Sequence, residues 1–231
     1  MWCCSELVDI IHLTFVCFFL LSHHVHSLPV WLELLNDDTP PPAILFTYRN
    51  PLEVAQSLKS RETRLQGEHS SKRQGLSKNV KFTLEYGLQL WIDYNQRALE
   101  HSSRICRITT SNDAILNSPL QEIQRISQEL TDKCGVVPPA APPSLVQQQA
   151  VVDSFVDPTL HHNTNSHQGD NLLKSLNDGT CLVYALDDII SDYMPGSLEY
   201  QSEQETYLRA MQLFCDLQSG EAYQSGYQYD D

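Results

Sequence analysis

One junction constrains this chain more than any other. A continuous apolar run, Ala43–Tyr48 (AILFTY), ends in Arg49-Asn50-Pro51 and passes at once into a helical pattern. A short apolar run with β-branched and aromatic side chains reads as a strand covered on both faces, as in a parallel sheet. Asn50 is a good N-cap, Pro51 suits the first helical position, and Glu53 stands where it can return a bond to the cap. Leu52, Ala55 and Leu58, with Val54, make the apolar face of the helix.

The pattern continues on both sides of that junction. Residues 28–36 (LPVWLELLN) read as a short amphipathic helix, joined to the strand by the Pro-rich connector Asp37–Pro42. Gln66–Asn79 is polar and rich in Gly, Ser and Lys, hence a surface loop. Phe82–His101 repeats apolar side chains at Leu84, Leu88, Trp91, Tyr94 and Ala98, one helical face. Ser103–Thr110 (SRICRITT) is a plausible second strand. Ser118-Pro119 opens another helix, with Leu120, Ile123, Ile126/Ser127, Leu130 and Cys134 inward and Gly135 as its stop. PPAAPP at 138–143 is an extended linker, and a helix is expected around Leu145–Phe155. Beyond Asn163 the chain is polar and acidic; Cys181–Ile190 and Glu203–Leu217 are expected to be helical, and the last residues (EAYQSGYQYDD) disordered. Strand, helix, strand, helix in this order predicts an α/β domain with a parallel sheet.

Charge and cysteines narrow the function. The 231 residues carry a net charge of −14, which disfavours a nucleic-acid polymer as partner. The charge is uneven: residues 1–135 hold 13 basic and 15 acidic side chains, residues 136–231 hold 2 and 14. Seven basic residues cluster between Lys59 and Lys81 (Lys59, Arg61, Arg64, Lys72, Arg73, Lys78, Lys81), either a solvated loop or a rim that attracts an anion. The seven cysteines form no CxxC pair and no zinc spacing, and their odd count favours buried free thiols in a reducing compartment over disulfides. His23, His24 and His26 have no carboxylate or thiolate at ligand spacing, so no metal is expected. Ile10–Leu21 is apolar but short for a membrane span. It suits the apolar core of a signal peptide in length, yet Glu6 and Asp9 precede it and no Lys or Arg does. It reads as buried core, or as a signal or anchor, in which case a membrane becomes a partner. A cytoplasmic location is favoured, with the secretory pathway or a Golgi membrane as the alternative.

The end of the first strand is where chemistry is expected. In open α/β sheets, ligands bind beyond the carboxyl ends of the strands, where helix N-termini point N–H groups outward. Arg49 leaves that strand end with a fixed charge and a planar donor fork suited to phosphate, and Ser57 lies eight residues on. Together they suit a phosphomonoester; alternatively Arg49 neutralises Glu53 and Ser57 sits on a solvated helix face.

The segment RNPLEVAQS (49–57), preceded by an apolar strand, is similar to the 3′-phosphate-binding segment of sulfotransferases, which use 3′-phosphoadenosine 5′-phosphosulfate. Three further segments resemble a bacterial-type branch of that family: LPVWLELL (28–35), YGLQLWIDYNQRALEHS (86–102, with Gly87, Leu88, Leu90, Trp91, Tyr94 and Asn95), and FVDPTLHH (155–162). The resemblance implies a P-loop-nucleoside-kinase-like parallel sheet flanked by helices over 28–162, N-terminally incomplete. Residues 1–27 would then be an apolar N-terminal segment, and 163–231 an acidic C-terminal region. It implies that Arg49 and Ser57 hold the 3′-phosphate of the donor nucleotide, and that a sulfuryl group passes to a hydroxyl or amine of a small metabolite, glycan or protein, without a metal. Trp91, Tyr94 and Asn95 read as a packed helix face or as part of a ligand wall. His161 and His162 read as a solvated pair or as neighbours of the 3′-phosphate. The family's glycine- and serine-rich loop for the 5′-phosphosulfate has no counterpart in Met1–Leu28, a stretch without glycine, and no residue is assigned as catalytic base. The alternatives are a non-catalytic nucleotide- or protein-binding remnant of the family, or a fragment of a longer active enzyme.

Overall fold

In the computed structural model the run Ala43–Tyr48 is strand β1, and Pro51–Glu68 follows it as helix α1. The structure describes residues 29, 30, 33, 43–68, 82–137, 143–155, 168–186, 190–224 and 227. Helix α2 (Leu84–His101) leads to strand β2 (Cys106–Ser111), the short helix α3 (Asn112–Asn117), and helices α4 (Pro119–Cys134) and α5 (Leu145–Phe155). A hairpin of β3 (Gln168–Leu176) and β4 (Cys181–Leu186) precedes the long helix α6 (Leu198–Ser219). The described residues therefore form a mixed α/β protein, with six helices, one parallel pair and one antiparallel pair. They fall into two compact units: β1, β2, α3, α4, α5 and the end of α2 in the first, and α1, most of α2, the hairpin and α6 in the second.

In the first unit, β1 and β2 run parallel, with Ala43 opposite Cys106 and Tyr48 opposite Ser111. Because the pair is in register, both strands end at the same edge. Ala43, Ile108, Ile126, Leu130 and Val136 form a buried cluster, with Leu45, Cys106 and Cys134 against it, so α4 covers one face of the pair. Ile44 and Phe46 point to the other face and are 0% and 1% exposed, as a strand covered on both sides requires. Helix α4 stops at Gly135, whose φ of 68° is left-handed. The Val136 N–H then reaches the Leu130 carbonyl at 3.1 Å while its side chain is buried, a hydrogen-bonded stop with its apolar contact.

In the second unit, Asn50 caps α1 as expected: its Oδ1 accepts from the N–H groups of Leu52 (2.9 Å) and Glu53 (3.4 Å). Leu52 and Ala55 are fully buried, and Val54 and Leu58 half-buried. Ala55 meets Gly87 of α2 so closely that a Cβ on Gly87 would lie 2.9 Å from the Ala55 Cα. The glycine of the GLQLW stretch is thus required by helix-to-helix approach, and Leu84, Leu88, Trp91 and Ile92 fill the interior beside it. Helix α1 continues through Gln66–Glu68, three residues assigned to a loop from their polarity.

The C-terminal region corrects several expectations. Cys181–Leu186 is a strand, not a helix, paired antiparallel with β3. The turn between them has left-handed backbone at Asn177, Asp178 and Gly179 (φ 51°, 57° and 88°), the conformation that Asn, Asp and Gly tolerate best. Glu203–Leu217 is helical, within a longer α6 capped by Ser197 and ended by the left-handed Gly220. Tyr207, Ala210, Met211, Phe214 and Leu217 of α6 are buried, and order extends into the segment expected to be disordered: Ala222 is buried and the Tyr227 hydroxyl donates to Asp216. The thiols are corrected too. Cys106 is bridged to Cys134, and Cys181 to Cys215. Irregular spacing hid these pairs because each joins elements that only the fold brings together.

Candidate functional site

The carboxyl edge of the parallel pair is formed by Tyr48 and Ser111, with Arg49 following directly. Ser111 accepts from the Ala114 N–H at 3.0 Å and so starts α3 where β2 stops. The Tyr48 phenol is pushed up by burial; the carboxylates of Glu122 and Asp113 raise it further, while Arg125 opposes them. It is therefore a neutral hydrogen-bonding group at ordinary pH.

Arg125 organises this edge. Its guanidinium donates to both oxygens of Glu122 (2.5 and 3.0 Å), to Glu129 (2.6 Å) and to the Thr109 carbonyl (2.6 Å). Thr110 donates to the same Glu122, tying α4 to the end of β2. These bonds hold Glu122 below the usual carboxylate range, chiefly through Arg125, and raise Arg125 above its ordinary value, chiefly through Glu122. Arg125 is thus committed to carboxylates and backbone and is not an anion-binding group. The i,i+3 and i,i+4 spacing of Glu122, Arg125 and Glu129 was a signal for this network in the sequence.

The structure places Arg49 and Ser57 in different units. Arg49 is half-buried, one residue past β1 at the end of the first unit's opening stretch. Ser57 is exposed, two turns into α1 in the second unit. Lys59, first of the basic run, is not part of an open rim: its Nζ lies 3.0 Å from Asp192 and 3.5 Å from the Ile190 carbonyl. Arg61 and Arg64 are exposed, and Lys72, Arg73, Lys78 and Lys81 lie outside the described residues. Trp91 is buried and Asn95 donates to its carbonyl at 2.7 Å, so both serve the α2 face; Tyr94 is half-buried. His23, His24, His26, His161, His162 and Ile10–Leu21 lie outside the described residues.

Sequence reasoning missed a second polar group, within the second unit. Asp192 accepts from the Leu84 N–H at 2.7 Å, capping α2 from far along the chain. Beside it Glu203 is wholly buried, accepting from the Ser191 hydroxyl and from the Asp192 N–H at 3.4 Å. Burial pushes the Glu203 carboxyl up; the bonds from Ser191 and the Asp192 backbone lower it, and the Asp192 charge adds to the rise. Among the described residues no three His, Cys, Asp or Glu side chains assemble as a metal site, and no helix is long and apolar enough to cross a membrane.

No family model, no curated protein and no solved structure matches this chain.

Proposed function

We propose that the edge beyond β1 binds the 3′-phosphate of an adenosine donor nucleotide, and that the chain is a sulfotransferase-like protein of P-loop-nucleoside-kinase-like fold. The observation that carries the reading is the position of Arg49. It stands immediately past the carboxyl end of a parallel strand and immediately before a capped helix, where α/β sheets take their ligands. A guanidinium there offers a bidentate fork to phosphate; a contribution from Ser57 rests on the likeness of RNPLEVAQS (49–57) to the 3′-phosphate-binding segment of sulfotransferases. The donor nucleotide, 3′-phosphoadenosine 5′-phosphosulfate, would supply the sulfuryl group, and a hydroxyl or amine would receive it. The alternative reading is nucleotide binding without transfer.

Calorimetric titration with adenosine 3′,5′-bisphosphate tests the site. Binding is expected, much weaker binding of adenosine 5′-monophosphate, and a loss of about tenfold or more in Arg49→Ala, equivalent to a charge-assisted bond of roughly 1.5–3 kcal/mol. A folded protein that binds neither nucleotide contradicts the proposal. Binding of the bisphosphate without passage of the donor's sulfuryl group to any hydroxyl or amine acceptor supplied selects the alternative reading.

A further inference from the structure

We infer that this chain folds and works in an oxidising compartment, held by two structural disulfides, one within each unit. All four described cysteines are paired two by two. Cys106 of β2 joins Cys134 at the end of α4, with Cα atoms 5.4 Å apart. Cys181 of β4 joins Cys215 of α6, with Cα atoms 6.0 Å apart. Both separations fall within the ~4.4–6.8 Å that a disulfide spans without moving the backbone.

The placement speaks for structural bridges. Each bridge ties a strand to a helix packed on it, and each joins cysteines 28 or 34 residues apart, so neither is a local motif. Cys106 and Cys134 lie against the buried cluster of the first unit, and Cys215 is 1% exposed. Catalytic or redox-sensing pairs need an accessible thiol, commonly in CxxC spacing, and no such spacing occurs here. Glutathione keeps cytosolic thiols reduced, so two structural bridges between packed strands and helices belong to a chain that folds where disulfide donors are supplied. The co-reactant is a disulfide-carrying oxidoreductase or oxidised glutathione. One cysteine thiolate attacks the donor disulfide and releases a donor thiol, leaving a mixed disulfide. The partner thiolate then attacks that mixed disulfide and releases the second thiol. Two electrons pass to the donor, and each cysteine gives up one proton.

This inference does not rest on the nucleotide reading, and nucleotide binding does not test it. Free thiols are blocked with a membrane-permeant alkylating reagent in intact cells of the natural source, and the full chain is then digested without reductant. Two linked peptides are expected, one holding Cys106 and Cys134 and the other Cys181 and Cys215, each separating on reduction. Alkylation of all four cysteines in the cell, or crossed pairings, overturns the inference. As a second arm, the paired variants Cys106→Ser with Cys134→Ser, and Cys181→Ser with Cys215→Ser, are each expected to melt several degrees lower than the oxidised protein. Unchanged melting in both pairs overturns the stapling role.

Discussion

The two units of this chain solve the same problem with different means. The first packs a parallel β1–β2 pair under α4 and finishes its polar edge with half-exposed charges, Arg125 against Glu122 and Glu129. The second packs helices and an antiparallel hairpin, and places a carboxyl, Glu203, wholly inside. In the first, polar groups decorate a core that apolar side chains already define. In the second, polar groups are part of the interior: Asp192 caps α2, and Glu203 fixes the loop that carries Asp192. Surface ion pairs contribute little each, whereas a buried polar group left without its partner is costly. The first unit should therefore be most sensitive to lost volume, and the second to lost fit and to pH.

The largest expected effect is in the first unit. Ile108→Ala removes a side chain at the centre of the cluster, and about 2–5 kcal/mol of stability should be lost in urea unfolding, with amide exchange rising first in β1, β2 and α4. A loss below about 1 kcal/mol would show that β1 and β2 do not depend on this core.

Gly87→Val in the second unit drives a branched side chain into the Ala55 backbone, and about 1–3 kcal/mol should be lost, read by the same unfolding measurement. A neutral result would mean that α1 and α2 are not in such close approach.

The smallest effect concerns pH. Because burial raises the Glu203 carboxyl, the folded state holds its proton to higher pH than the unfolded chain does. Stability from this group is full below the ordinary carboxylate range, and declines as pH rises from there through the raised folded value. Glu203→Gln should flatten that decline in stability measured across pH. An unchanged slope would remove Glu203 from the account.

How far the fold could be read in advance follows the same division. β1, the Asn50 cap, α2, the Gly135 stop and α5 were legible because each is written in a short stretch: an apolar run, a capping residue, or a 3.6-residue period. The hairpin, the Asp192 cap on Leu84 and both disulfides were not, because their partners are far apart in sequence. Asn177-Asp178-Gly179 did carry a local turn signal, but the acidic surroundings of β4 masked it as polar helix or tail. The described part of the segment beyond α6 was hidden because its two anchors, the buried Ala222 and the Tyr227 hydroxyl on Asp216, follow no apolar period. At the candidate site, residue chemistry alone offered Arg49 at a strand end with Ser57 eight residues on, suited to a phosphomonoester. The donor nucleotide came from resemblance of short segments.

Hydrogen exchange with and without adenosine 3′,5′-bisphosphate tests the central claim most directly, because it locates the ligand on the chain. Peptides spanning Tyr48–Ser57 should exchange more slowly with the bisphosphate, adenosine 5′-monophosphate should protect them far less, and Arg49→Ala should abolish the difference. Equal protection by both nucleotides, or protection confined to other segments, would contradict a 3′-phosphate site at the end of β1.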